Sequence, residues 1–535
     1  MRVNPTYWAG LCLIVLAIWG WGRAPAVGLS WDEPYQRAYG EVVYAYLMEG
    51  DTTLDTDSER LYGPVIPFVL TLAERVSGTV SDRDAYILRH RLTWLIFLAG
   101  AGVFFLVASD LFRSRHWGLF AMLSLILSPS LSSHGFFNTK DIPFMVGCIV
   151  TVYLGIKAVK KPSSWAIVCL ALAAGVTTDI RVLGILFVPV FCFFWGKNLR
   201  NHAFFLSVYA LTVYVFWPSL WLAPWSVFWD ALMAMRQYPW SGTVMYLGFF
   251  EPADHLPWHY LPIYMGVSTP LVYLLGLAAC VFVFFSTQED NRPLWIGLVW
   301  VLFPMVLVIG GGAVLYDSWR HVFFVYPGII LLATYGWRLL YMGLRDLDVG
   351  RRLEIHKRLG LHRLWGIRRL FMGSKGRKPV HFEPHKIKII FMIFILCSWI
   401  PLGGFIWKEA PLSYVYFNVL AGDRASIHRR FETDYWGLSY REGLEWIVAQ
   451  NASPQKVWMP HFPGQQSLPL LTTSEQEKLQ WVEDPAQADY IVTTFRWVTG
   501  LPASPPQYEK RVGGIPVLRV YSFPATPRQG KLPPL

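Results

Sequence analysis

SSWAIVCLALAAGVTTDIRVLGILFVPVFCFFWG, residues 163–196, holds 34 residues and only two charges, Asp179 and Arg181. As a single helix it would reach about 51 Å at ~1.5 Å per residue. That is too long for a hydrocarbon core of ~30 Å. Lys157, Lys160 and Lys161 precede it, and Lys197 and Arg200 follow it. Lys and Arg favour the cytoplasmic side, so an even number of crossings should separate the two basic clusters. Two helices with a tight outer turn at Asp179–Arg181 meet both conditions, and this reading sets the parity of the whole chain.

Charge-free apolar stretches continue the pattern in both directions. They run Tyr7–Gly22, Leu92–Ser109, Trp117–Ser133, Ile142–Ile156, Ser163–Thr178, Val182–Gly196, Ala203–Ala223, Tyr260–Phe285, Pro293–Gly312, Val322–Trp337 and Ile389–Trp407, which makes eleven expected spans. Several fall short of the ~20 residues a helix needs to cross, and flanking Arg, Lys and Trp can snorkel to make up the difference. Composition agrees. Of 535 residues, 54% are hydrophobic and 16% charged, against about 25% charged in soluble domains. One large soluble globule, disorder, a coiled coil and collagen are excluded, and an α-helical polytopic membrane protein remains. The net charge of +11 is that of basic cytoplasmic loops and gives no reason to expect nucleic acid. All six cysteines lie in apolar runs without metal-ligand spacing, so neither a disulfide nor a structural metal is expected. No cofactor is predicted, although the sequence leaves a divalent metal open. The first span ends in Trp-Gly-Arg-Ala-Pro, residues 21–25, which is no cleavage site for a signal peptidase.

The orientation closes without conflict. Arg113, Arg115 and the loop Met342–Lys386, with twelve Lys and Arg against four Asp and Glu, fall inside. Within that loop, Leu344–Leu370 reads either as a topogenic segment or as a basic amphipathic surface helix. The opposite face then owns the first loop Arg23–Arg91, the turn His134–Asp141, Asp179–Arg181, the Trp- and Tyr-rich loop Pro224–His259, Tyr316–His321, and everything after Trp407. Nearly every polar cluster faces one compartment, which points to chemistry at the outer membrane face.

Residues 1–407 are read as a membrane catalytic domain and 408–535 as a small soluble α/β domain. In the latter, Tyr440–Gln450 is an expected amphipathic helix, and Lys456–Met459, Asp489–Thr494 and Val517–Ser522 are expected strands. Ser474–Val482 is an expected second helix, with Ser474 and Glu477 as a capping box. The end, Pro524–Leu535, is Pro-rich. The tail carries no catalytic signature of its own.

Each constellation admits two readings. Asp32-Glu33 is an acidic turn, or a carboxylate base that deprotonates an acceptor hydroxyl. Asp141, two residues before Pro143, is an N-cap, a cavity-facing acid, or both. Asp179 and Arg181 pair with each other, or one of them serves a site at membrane depth. Arg320 snorkels to headgroups, or holds a phosphate with paired donors. The aromatic residues of Pro224–His259 form an interfacial belt, or stack on sugar faces.

An acidic pair after the first span, the turn Asn138-Thr139-Lys140-Asp141-Ile142-Pro143-Phe144, and Tyr316-Asp317-Ser318-Trp319-Arg320-His321 before a late span resemble the protein O-mannosyltransferase-like group of GT-C glycosyltransferases. Bacterial members related to the aminoarabinose transferase of lipid A belong to the same class. Tyr414–Asn418 and Asp434–Tyr440 resemble its bacterial branch. The resemblance implies inverting transfer of a hexose or pentose from a polyprenyl-phosphate donor to a glycan, lipid or protein acceptor. It places the reaction at the periplasmic face of a bacterial inner membrane. It implies Asp32 as the catalytic base and Glu33 as the residue that orients it. Asp141 would line the cavity, and Arg320, Arg181, Lys140 and His321 would contact the substrate. A transporter of a polar or lipid-linked solute is the alternative, although no inverted repeat is visible for it.

Overall fold

Helix fills the apolar stretches of the computed structural model, which describes residues 4–195, 198–236, 238, 240–284, 290–346, 384–460, 463–497 and 504–522. Beyond Asp346, the stretch Leu344–Leu370 lies outside these residues, as does Pro524–Leu535.

Helix α1 (Pro5–Arg23) starts on Asn4, whose side chain accepts the Thr6 N–H at 3.1 Å, with Pro5 in the first turn. The first outer loop contains two helices, α2 (Asp32–Met48) and α3 (Val65–Ser77). Helix α4 (Asp82–Phe112) has 31 residues and is capped by Ser81. It spans about 46 Å and so projects past the bilayer core on its N-terminal side. Then follow α5 (Arg115–Ile126), α6 (Pro129–Phe137), α7 (Asp141–Lys160), α8 (Ser164–Ile180), α9 (Phe187–Trp195), α10 (Leu199–Phe216) and α11 (Pro224–Arg236). A hairpin of β1 (Thr243–Tyr246) and β2 (Phe249–Pro252) turns on Leu247 and Gly248, both at positive φ, as a two-residue hairpin requires. The membrane part ends with α12 (Tyr260–Ser268), α13 (Leu271–Phe284), α14 (Arg292–Gly310), α15 (Tyr326–Asp346) and α16 (Pro384–Glu409).

Six helices among the described residues are long and apolar enough to cross a membrane singly. Two expected spans are instead bent pairs: α5 with α6 at 67°, and α12 with α13 at 118°. Pro129 and Pro270 stand at the breaks, where a helix cannot continue. The chain also breaks at Arg181, whose backbone is extended, and Val182–Leu186 forms a 3₁₀ turn before α9. The apolar windows of α1 and α16 are 17% buried, whereas the span that includes α15 is 94% buried. Apolar helices left bare face lipid, and α15 is therefore the central helix of the bundle.

After α16 the chain crosses the bundle end in short 3₁₀ turns and enters α17 (Tyr440–Gln450). The strands β3 (Gln455–Trp458), β4 (Leu479–Trp481), β5 (Tyr490–Thr494), β6 (Tyr508–Val512) and β7 (Ile515–Ser522) form one mixed sheet, ordered β4-β3-β5-β7-β6. Leu444 and Ile447 of α17 are buried with Val492, Leu518 and Val520. The expected helix Ser474–Val482 does not form. A single turn, Thr473–Gln476, is capped by Thr472 and Glu475, and Leu479–Trp481 pairs parallel with β3.

Candidate functional site at one end of the bundle

The acidic pair is divided by its own turn. Glu33 folds back so that Oε2 accepts from the Ser30 N–H and Oγ–H, each at 2.8 Å. Its Oε1 lies 2.7 Å from His90 Nε2. Glu33 thus reaches back across the start of α2 to the Ser30 N–H, one of the two contacts of a capping box, and the S-x-x-E spacing of Ser30 and Glu33 is a sequence signal that could have found it. Glu33 is buried and committed to Ser30 and His90. The Asp32 side chain keeps 31% exposure.

Helix α7 starts on Asn138, not on Asp141. Asn138 Oδ1 accepts the N–H of Lys140 at 3.2 Å and of Asp141 at 2.8 Å, and its Nδ2 donates to Asp141 Oδ2 at 2.8 Å. Asp141 is then free to pair sideways. Its Oδ1 meets Arg181, and its Oδ2 lies 3.4 Å from Arg320 Nη1. Of the two readings of Asp179 and Arg181, mutual pairing is not the one seen: Arg181 leaves α8 in an extended conformation and pairs with Asp141. The Asp179 carboxylate is buried at the end of α8.

Arg320 is buried at the junction of these groups rather than out at the headgroups. Its Nη1 lies 3.5 Å from Asp32 Oδ2, and its Nη2 lies 3.1 Å from Asp317 Oδ2. The guanidinium sits 4.5 Å over the Trp436 ring and 4.9 Å over Tyr316. The turn that delivers it has Asp317 and Ser318 at positive φ, a conformation that costs of order 1–3 kcal/mol for each such residue. Tyr260 O–H donates to Ser318 O at 3.2 Å and Trp319 Nε1 donates to Ser268 Oγ at 2.7 Å, which hold the turn. His321 packs edge-on against Tyr316 at 4.6 Å. Lys140 Nζ lies 3.6 Å from Glu59 Oε2 and over the Tyr62 ring at 4.6 Å.

Among the described residues, the buried nitrogens of this cluster without a hydrogen-bond partner include Arg181 Nε, Arg320 Nε and His321 Nδ1. Buried polar atoms are nearly always paired, so these nitrogens are donors available to an acceptor group. Sequence reasoning missed Asp317, Glu432, Trp436 and Arg496, three of them from the tail. Asp317 and Trp436 lay inside the Tyr316–His321 and Asp434–Tyr440 motifs without a role assigned to them, and Glu432 and Arg496 lay outside both. Burial holds the Glu432 carboxyl up at about 8, against the pull of Arg496.

The far end of the same helices is different. There Asp110 meets Lys157 and Lys160, and Asp290 meets Arg292. Asp141 and Lys160 bound α7, 20 residues long, or about 30 Å apart. Between the two ends runs an apolar groove of about 490 Å³, from Phe144 and Phe324 beside the cluster to Lys160 and Arg292.

Residues 62–222 match the family model described as dolichyl-phosphate-mannose-protein mannosyltransferase. Lys140, Asp141 and Arg181 lie inside the match, and Asp32, Glu33, Arg320 and His321 outside it. The apo oligosaccharyltransferase of Archaeoglobus fulgidus superposes with a TM-score of 0.51 at 8% identity, over 92% of this chain and 69% of that one. The chain has the GT-C glycosyltransferase fold. The GT-C bundle makes it an integral membrane protein. The crystal structure of ArnT from Cupriavidus metallidurans bound to undecaprenyl phosphate is also similar, at 14% identity over 98% of this chain and 100% of that chain, with a TM-score of 0.49. No curated protein matches the chain.

Proposed function

We propose that the chain is a membrane glycosyltransferase that moves a hexose or pentose from a polyprenyl-phosphate donor to an acceptor hydroxyl, with inversion. The observation that carries the reading is the set of nitrogens on Arg181, Arg320 and His321 that have no hydrogen-bond partner among the described residues, beside a partly exposed carboxylate and at the head of an apolar groove. A phosphodiester suits the first, an isoprenoid chain the groove, and a hydroxyl to be deprotonated the carboxylate. Asp32 takes the acceptor proton as the oxygen attacks the anomeric carbon. The bond from that carbon to the phosphate oxygen breaks, and its electron pair leaves with the phosphate. Arg320, with Arg181, His321 and Lys140, stabilises that charge in a site of low dielectric, where fixed cations act most strongly. Asp141 aligns the two arginines. Glu33 sets the turn that aims Asp32. The acceptor is a glycan, a lipid or a protein, and the reaction faces the periplasm of a bacterial inner membrane. The family match and the fold give a transporter no support.

Arg320 variants test the phosphate contact. Losing a charge-assisted contact costs about 1.5–3 kcal/mol, so Arg320→Ala should bind undecaprenyl phosphate roughly ten- to hundredfold more weakly. Arg320→Lys should recover only part, since an ammonium lacks the paired donors. Full affinity in Arg320→Ala would place the phosphate elsewhere.

A further inference from the structure

The charged cluster continues beyond the membrane helices. Asp317 uses its two oxygens separately: Oδ2 lies 3.1 Å from Arg320 Nη2, and Oδ1 lies 2.5 Å from Arg496 Nη2. Arg496 follows β5 in the tail, 179 residues from Asp317, and is buried. Its Nη1 donates to the Tyr435 carbonyl. Its guanidinium lies 4.2 Å over the Trp497 ring and 5.6 Å over Trp31, the neighbour of Asp32. On its far side, Nε is 3.9 Å from Glu432 Oε1. The tail thus places one cation against both the turn that carries Arg320 and the residue that precedes Asp32.

We propose that Arg496 is a positioning residue that shares Asp317 with Arg320 and so keeps Arg320 available to an anionic headgroup. The proposal rests on the reading of Arg320 as the phosphate contact. A carboxylate held between two cations divides its attraction. Without Arg496, Asp317 would direct its whole charge at Arg320 in a buried setting, where such pairs are strong. An incoming phosphate would then compete with a carboxylate already in place.

The test uses the full-length protein in detergent, with undecaprenyl phosphate as the probe. Wild type is compared with Arg320→Ala, Arg496→Gln, Arg496→Lys and the double variant Arg496→Gln/Asp317→Asn. Arg496→Gln should bind about tenfold more weakly. Arg496→Lys should keep most of the affinity, because an ammonium still shares Asp317. The double variant should return to within about threefold of wild type, because Asp317 no longer competes for Arg320, while the contacts of Arg320 to Asp32 and Asp141 are unchanged. A packing role for Arg496 gives the reverse, with the double variant weaker than the single one. Wild-type affinity in Arg496→Gln, or no recovery in the double variant, overturns the proposal; a simultaneous loss in Arg320→Ala leaves the phosphate reading standing. Unchanged affinity in Arg320→Ala overturns both. If Arg496→Gln does not fold, the double variant decides alone: affinity near wild type supports the sharing, and a tenfold loss overturns it.

Discussion

Glu33 is 2% exposed, with its carboxylate spent on Ser30 and His90. A buried group left without such partners costs about 1–3 kcal/mol. Glu33→Gln should therefore lower the thermal unfolding temperature while the folded fraction keeps most of its turnover. A loss of turnover without loss of stability would give Glu33 a direct part in the chemistry. Glu432 makes a pH-dependent prediction. Its ordinary value is 4.5, and burial raises it to about 8. Between these values the folded chain holds a proton that the unfolded chain has released, so this group's contribution to stability falls as the pH rises through that window. Glu432→Gln is neutral throughout. The difference in unfolding temperature, variant minus wild type, should therefore grow from about pH 5 to about pH 8, and a constant difference would show that Glu432 is ionised all along.

Among the elements, the end of α8 packs closely against the first outer loop at Gly63. A Cβ on Gly63 would come within 1.2 Å of the Asp179 carbonyl oxygen. Gly63→Ala must push α3 and its approach away from α8, and overpacking of this kind costs about 1–3 kcal/mol or more. It should lower the unfolding temperature and loosen Arg181, whereas an unchanged melting curve would mean that the two segments do not touch. Helix existence was legible from apolar runs, because a span needs length and little else. Helix ends were less so. At α7 the first N–H groups go to Asn138 and not to Asp141, and ahead of α2 it is Glu33 that reaches back to the Ser30 N–H, since such contacts depend on which side chain folds back, not on which acid stands nearest. Ser474–Val482 is rich in Glu, Gln and Lys, which favour helix. Pairing of Leu479–Trp481 with β3 overrides that preference.

On the scale of the whole molecule, the positively charged clusters predict the orientation. A reporter fused after Leu535 should be active outside the cytoplasm, and one inserted near Arg369 inside it. Two reporters on the same side would contradict the assignment. The candidate site was half legible. Asp32, Lys140, Asp141, Arg181, Arg320 and His321 stood in recognisable turns at the ends of spans, and the structure gathers them at one end of the bundle. Asp317, Glu432 and Arg496 could not be ranked from sequence, because their meaning lies in contacts across 179 residues and in strained backbone at Asp317. The central claim is that Asp32 is the base of a polyprenyl-phosphate-dependent sugar transfer. Purified wild type and Asp32→Asn, each given radiolabelled polyprenyl-phosphate sugars and mixed acceptors, test it most directly. Wild type should form labelled product, and Asp32→Asn should bind undecaprenyl phosphate normally while turning over at least ~10² more slowly. Near-normal turnover in Asp32→Asn, or no transfer by wild type from any such donor, would contradict the account.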